Sequence, residues 1–166
     1  DSTTPSDHVA LALLKISTYG TGKGGPRATA SELARRFPRK VAGGLAVIDG
    51  ETAIYPSCCC GLEMWSEWKD LVTGGESPWM GHDPDPWVEF EGSDGVIVWA
   101  DGGLSTERRE GAARIRMTRD ELAAGVRKAE KNLDDFAHRL GRFLESRTDQ
   151  AAAIVAAFRR VFGDGA

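Results

Sequence analysis

The chain has 166 residues, of which 41% are hydrophobic and 28% are charged, a composition typical of a soluble globular protein. No apolar run approaches the roughly 20 residues that a membrane-spanning helix needs, and no basic stretch typical of a signal peptide precedes the first apolar segment. We therefore expect a cytoplasmic protein without membrane attachment, folded as a single domain over residues 1–166, in which residues 1–28 could form a flexible N-terminal segment. The chain does not begin with methionine, as expected of a piece of a longer protein.

The net charge of -4 is distributed unevenly along the chain. Residues 57–104 carry ten acidic side chains against one basic side chain, Lys69, and they contain all five tryptophans. Nucleic acid is not an expected partner of such a segment, because binding phosphates needs positive charge. A basic protein is a plausible partner instead.

The first forty residues contain one clear helix signal and two ambiguous segments. Residues 6–18 have helical spacing of apolar residues, which we favour, although a buried strand would look similar over so short a run. Residues 20–26 place a lysine among glycines, but without the spacing of a phosphate-binding loop, so a linker is the simpler interpretation. Thr29 and Glu32 have the spacing of a capping box and predict a helix that ends before Pro38.

Two pairs of short apolar segments in the middle of the chain predict β-hairpins. Residues 45–48 and 52–55 flank an Asp-Gly pair, which favours the positive φ angles of a tight turn. Residues 87–91 and 96–100 flank a Ser-Asp-Gly turn in the same way. Four strands from two hairpins predict a small antiparallel sheet.

Two further helical regions complete the predicted fold. Residues 62–72 predict a helix that carries two tryptophans. A second capping box, Thr118 to Glu121, precedes a long apolar stripe with spacings of three and four residues, formed by Leu122, Val126, Ala129, Leu133, Phe136, Leu140 and Phe143. A last helix should begin near residue 148 and end at Gly163. The predicted class is α+β, with the tryptophan-bearing helix and a helical hairpin over residues 118–163 packed on the sheet.

Three adjacent cysteines at residues 58–60 form the first candidate site. Neighbouring cysteines can bridge only through a strained ring, so we do not expect a disulfide framework. Cys58, Cys60 and His82 are candidate zinc ligands, with Asp83 or His8 as a fourth, although the Cys-x-Cys spacing is less usual than Cys-x2-Cys. A reactive thiol with His82 as its base is a further alternative. Tight packing of small side chains is the purely structural interpretation.

The acidic, tryptophan-rich segment forms the second candidate site. Tryptophans are enriched at interaction hot spots, and the surrounding carboxylates would attract a basic partner. The structural alternative is that the tryptophans fill the core and the acids pair with the basic long helix of the same chain. The predicted partner-binding residues are Glu63, Trp65, Glu67, Trp68, Trp79, Asp83, Asp85 and Trp87.

The run PSCCCGLEMWSEW, followed by PWMGHDPDPWVEF, resembles a group of uncharacterised bacterial proteins of actinobacterial type. These carry a Cys-Cys-x-Gly-Leu-Glu-x-Trp-x-x-Trp segment and a Gly-His-Asp-Pro segment. The resemblance implies no activity and no catalytic residue. In style alone, without a shared motif, a small acidic α+β protein is also similar to the immunity proteins that neutralise basic nuclease toxins.

These observations favour a non-enzymatic protein-binding module over an enzyme. It could be an immunity-type protein or inhibitor that engages a basic toxin or nuclease through its acidic surface, without a cofactor. The alternative is a metal- or thiol-dependent site at the cysteines and His82, with zinc as the cofactor. The oligomeric state is left open.

Overall fold

A computed structural model describes residues 6–19, 29–104 and 106–163. The helices are α1 Ser6–Tyr19, α2 Ala30–Arg35, α3 Glu67–Val72, α4 Arg119–Glu145 and α5 Ala151–Phe162. The strands are β1 Val47–Asp49, β2 Thr52–Ile54, β3 Trp87–Glu91, β4 Gly95–Trp99 and β5 Arg114–Thr118. Short 3-10 helices occupy Leu62–Ser66 and Thr106–Arg109. The glycine-rich segment 20–26 lies outside the described residues, and its role stays a prediction.

The predicted α+β class is confirmed, but the strands form two sheets rather than one. β1 pairs antiparallel with β2, and β3, β4 and β5 form a separate antiparallel sheet in that order. The sequence interpretation missed β5, in which Ile115 and Met117 alternate with arginines. These two apolar residues pair with Val98 and Val96 of β4, which makes β4 the central strand.

The described residues group into two compact units, and the expectation of one domain over residues 1–166 stays a prediction. Residues 42–128 contain both sheets, α3 and the first turns of α4. The core of this unit lies between one face of the three-stranded sheet, the β1–β2 hairpin, α3 and the first turns of α4. Its buried members are Ile54, Trp68, Leu71, Met80, Val88, Val96, Val98, Ile115, Leu122 and Val126. Leu122 and Val126 show that the first part of α4 contributes to this core.

The other unit comprises residues 1–41 and 129–166 and is helical in its described part. The helix favoured for residues 6–18 is confirmed as α1. α4 and α5 form the predicted helical hairpin, in which Phe136 contacts Phe158 with ring centroids 5.3 Å apart. Phe37, after α2, packs edge-on against Phe158 and Phe162. None of the described helices is long and apolar enough to cross a membrane.

Both predicted capping boxes are present. The hydroxyls of Thr29 and Thr118 accept hydrogen bonds from the N–H groups of Glu32 and Glu121, whose carboxylates accept from the threonine N–H groups in return. These hydrogen bonds to the carboxylates lower the pKa of Glu32 and of Glu121. Local sequence therefore determines where α2 and α4 begin.

Candidate metal centre

The three cysteines lie in a turn between β2 and the 3-10 helix before α3. The N–H of Cys60 donates to the carbonyl of Ser57 at 3.4 Å, and Cys59 has a positive φ of 66°, which is uncommon for a residue other than glycine. Cys58 and Cys59 are exposed, Cys60 is buried, and all three are free thiols. The turn therefore presents two thiols to solvent and directs one into the core.

A second loop, residues 78–86, lies against this turn. The N–H of Ser57 donates to the carbonyl of Met80 at 2.7 Å, and the N–H of Asp83 donates to Oγ of Ser57 at 3.3 Å. Gly81 has a φ of +103°, and a Cβ atom there would lie 2.2 Å from Oγ of Ser57 and 2.5 Å from the carbonyl oxygen of Cys58. Only glycine fits this approach, which places His82 beside Cys58.

Cys58, Cys59 and His82 form a cluster of possible metal ligands. The Sγ atom of Cys58 lies 3.8 Å from Nδ1 of His82, and one ligand atom from each of the three residues lies within 4.8 Å of the other two. Tetrahedral zinc holds two sulfur ligands about 3.8 Å apart and a sulfur and a nitrogen about 3.6 Å apart. Closing the cluster around an ion therefore needs movements of about 1 Å or less.

Cys60, predicted as a ligand together with Cys58 and His82, does not belong to this cluster. Its side chain is only 8% exposed, and its thiol donates to the carbonyl of Trp79 at 3.4 Å. Burial, together with the nearby carboxylates of Glu63 and Glu67, raises the pKa of the Cys60 thiol to about 11. Cys60 is therefore buried away from the cluster, and Cys59 takes its place as a candidate ligand.

Trp79 packs beside the cluster and contacts His82. Its ring stacks on the imidazole of His82, with centroids 6.1 Å apart and planes inclined by 23°. The N–H of Trp79 donates to a carboxylate oxygen of Glu67 at 2.6 Å, which ties this loop to the first turn of α3. Its side chain is 40% exposed, so the indole is accessible to solvent beside His82.

The predicted partner-binding residues do not share one surface environment. Trp65 and Trp68 are 2% and 4% exposed, because their spacing places both on the inward side of the 3-10 helix and α3. Asp85 is also buried, whereas Trp79 and Asp83 are exposed. The half-buried members are Glu63, Glu67 and Trp87. Half of the tryptophans chosen as contacts are therefore part of the core.

Asp85 has a clear structural role. Its carboxylate accepts a hydrogen bond from the N–H of Leu104, and its backbone carbonyl accepts from the N–H of Gly103 at 3.1 Å. Its own N–H donates to the carboxylate of Asp101 at 2.9 Å. Asp85 therefore anchors the segment that follows β4 and is not available to a partner.

The sequence interpretation also missed a polar cluster on the three-stranded sheet. The indole N–H of Trp99 donates to Glu89 at 3.0 Å, and Arg109 forms an ion pair with the other oxygen of Glu89 at 2.5 Å. The guanidinium groups of Arg109 and Arg114 lie 5.8 and 5.2 Å from the Trp99 ring centroid. The alternation of residues along β3 and β5 could have indicated this shared face.

No protein-family model, curated protein or solved structure matches the chain.

Proposed function

We propose that the protein binds a soft transition-metal ion, with zinc as the leading candidate, through Cys58, Cys59 and His82. The observation that carries this proposal is the convergence of two exposed thiols and an imidazole, with ligand atoms within 4.8 Å of one another. Thiolate and imidazole are the ligands that zinc prefers, and thiolate also suits monovalent copper.

The charges of the cluster support a divalent ion. Two thiolates and a neutral imidazole carry a charge of about -2, which one divalent cation would neutralise. The thiols must lose their protons to bind, so metal affinity should fall as the pH is lowered. A lone reactive thiol would need only Cys58 and His82, whereas the metal proposal also explains the position of Cys59.

Metal loading tests the proposal directly. Reduced, metal-free protein is titrated with zinc against a chromophoric chelator, and we expect one ion per chain. Cobalt substituted for zinc should give a thiolate-to-metal charge-transfer band. Cys58→Ala and Cys59→Ala should each abolish that stoichiometric binding, and His82→Ala should weaken it at least about tenfold, or about 1.4 kcal/mol.

Two matched variants serve as controls. Cys60→Ala removes the buried thiol, and His138→Ala removes an exposed histidine of α4 that is not part of the cluster. Both should load one ion per chain. If the Cys58→Ala/Cys59→Ala double variant binds zinc as tightly as the unchanged protein, the proposed site is wrong.

A second candidate function, protein binding, is favoured by the exposure of Trp79 and Asp83 beside the cluster. In this proposal a basic partner, such as a toxin or nuclease held by an immunity-type protein, contacts the indole and the carboxylate. Asp83→Lys should reduce capture of that partner from a lysate at low salt, whereas Asp94→Lys, in the exposed β3–β4 turn, should not. If the unchanged protein and both variants capture equal amounts of the partner, the surface around Trp79 and Asp83 is not the binding site.

A further inference from the structure

We infer that an ion bound by Cys58, Cys59 and His82 keeps one coordination position open, and that this position accepts a thiolate from another molecule. The ion would then be exchanged with thiol-bearing acceptors by ligand substitution. This inference rests on the proposed metal binding and specifies how that site works.

The number of ligands is the first argument. Among the described residues, three side chains supply ligand atoms to the cluster. Structural zinc sites are closed by four protein ligands, whereas sites that act on an external molecule have three and leave the fourth position free. The cluster has the second arrangement.

Three neighbouring side chains that could supply a fourth ligand are positioned elsewhere, and the carboxylate of Asp83 is not among the ligand atoms that converge. The thiol of Cys60 is buried and donates to the carbonyl of Trp79 at 3.4 Å. A carboxylate oxygen of Glu67 accepts from the N–H of Trp79 at 2.6 Å. The carboxylate of Glu63 lies over Gly61, 2.2 Å from the position of a Cβ atom there. Recruiting Cys60, Glu67 or Glu63 as the fourth ligand would mean changing one of these arrangements.

Exposure is the second, independent argument. Cys58, Cys59 and His82 are all exposed, so an ion among them would lie at the protein surface. The Trp79 ring stacks on the imidazole of His82 and is itself 40% exposed. An external ligand can therefore reach the ion without unfolding either loop.

The exchange step involves no oxidation or reduction. The acceptor thiol loses its proton and its sulfur binds the open position. The bond from the ion to the sulfur of Cys59 or Cys58 then breaks, and the released thiolate takes up a proton. Repeating this step at the remaining ligands moves the ion to the acceptor with no net change in protons when two thiols replace two thiols.

Two measurements on the zinc- or cobalt-loaded full chain test the inference. Added 2-mercaptoethanol should bind the open position and shift the charge-transfer spectrum of the cobalt form. This shift should occur at a lower 2-mercaptoethanol concentration than the one that removes the ion. The rate of zinc transfer to a chromophoric chelator should rise in proportion to chelator concentration, about tenfold over a tenfold range, because the chelator binds before a protein ligand leaves. A rate independent of chelator concentration, with an unchanged cobalt spectrum, would overturn the inference.

The Cys60→Ala variant separates this mechanism from its main rival, in which Cys60 leaves the core and becomes the fourth ligand. An open site predicts the same transfer rate in this variant and in the unchanged protein. At least a tenfold faster rate in the variant would show that Cys60 closes the site, and the inference would be wrong. Loading of one ion with slow, concentration-independent release refutes only the inference, whereas failure to load refutes the proposed function and the inference with it.

Discussion

Replacing Gly81 by alanine should disturb both the fold around the cluster and its metal affinity. A side chain at φ +103° costs roughly 1–2 kcal/mol in backbone strain. The new Cβ would also lie 2.5 Å from the carbonyl oxygen of Cys58, so the two loops must separate. Crowding of this kind typically costs a further 1–3 kcal/mol, which gives a total loss of about 2–5 kcal/mol.

Gly74 offers a matched control for this prediction. Its φ of +96° is close to that of Gly81, but a Cβ atom there would meet nothing within 4 Å. Gly74→Ala should therefore show the backbone strain alone, about 1–2 kcal/mol. Urea unfolding of the metal-free proteins, followed by tryptophan fluorescence, measures both losses, and chelator competition measures zinc affinity.

The two variants should differ in zinc binding as well as in stability. Gly81→Ala moves His82 away from Cys58 and should weaken binding at least about tenfold, whereas Gly74→Ala should leave affinity unchanged. If the two variants lose equal stability and keep equal zinc affinity, the close approach of the loops does not position the cluster, and the reasoning fails.

Three further predictions concern two buried groups, the Cys60 thiol and the Asp85 carboxylate. At pH 8 a thiol reagent should modify two cysteines rapidly and Cys60 only on unfolding, so three equally fast thiols would contradict its burial. The pKa of Cys60 is raised from 9.0 to about 11, so the folded state holds this proton more tightly than the unfolded state. Its contribution to stability is complete below pH 9 and falls as the pH rises towards 11, a loss that Cys60→Ala should remove. Asp85→Ala should cost about 1–3 kcal/mol in urea unfolding, because the N–H of Leu104 loses its acceptor. Asp94→Ala, at an exposed turn, should cost less than about 0.5 kcal/mol, and equal losses would refute the structural role of Asp85.

Local signals predicted the elements of this fold better than their arrangement. The capping boxes at Thr29 and Thr118 act within one turn of helix, and the Asp-Gly turn between β1 and β2 acts within one hairpin. The assignment of strands to sheets depends on which distant segment β4 pairs with. β5 supplies that partner, and its arginines concealed a regular alternation with Ile115 and Met117.

The sequence also predicted the candidate site only in part. The sequence indicated Cys58 and His82, and the structure brings them together, 24 residues apart in the chain. Which of the next two cysteines faces solvent depends on the left-handed backbone of Cys59, and no spacing rule predicts that conformation. Trp65 and Trp68 were assigned to a surface because acids surround them, but burial of a large indole outweighs the charge of its neighbours.

Removal of the metal should leave the protein folded. Three contacts that involve no candidate ligand atom join the cysteine turn to the second loop: Ser57 N–H to Met80 O, Asp83 N–H to Ser57 Oγ, and the Cys60 thiol to Trp79 O. Met80 is anchored in the core, so these contacts hold the loops together without an ion.

Small zinc domains that lack such a core unfold when their metal is removed. Here we expect chelation to leave the far-ultraviolet circular dichroism unchanged and to lower the free energy of unfolding in urea only by the free energy of ion binding. Loss of cooperative unfolding in the metal-free protein would show that the ion, rather than the contacts between the loops, creates the site.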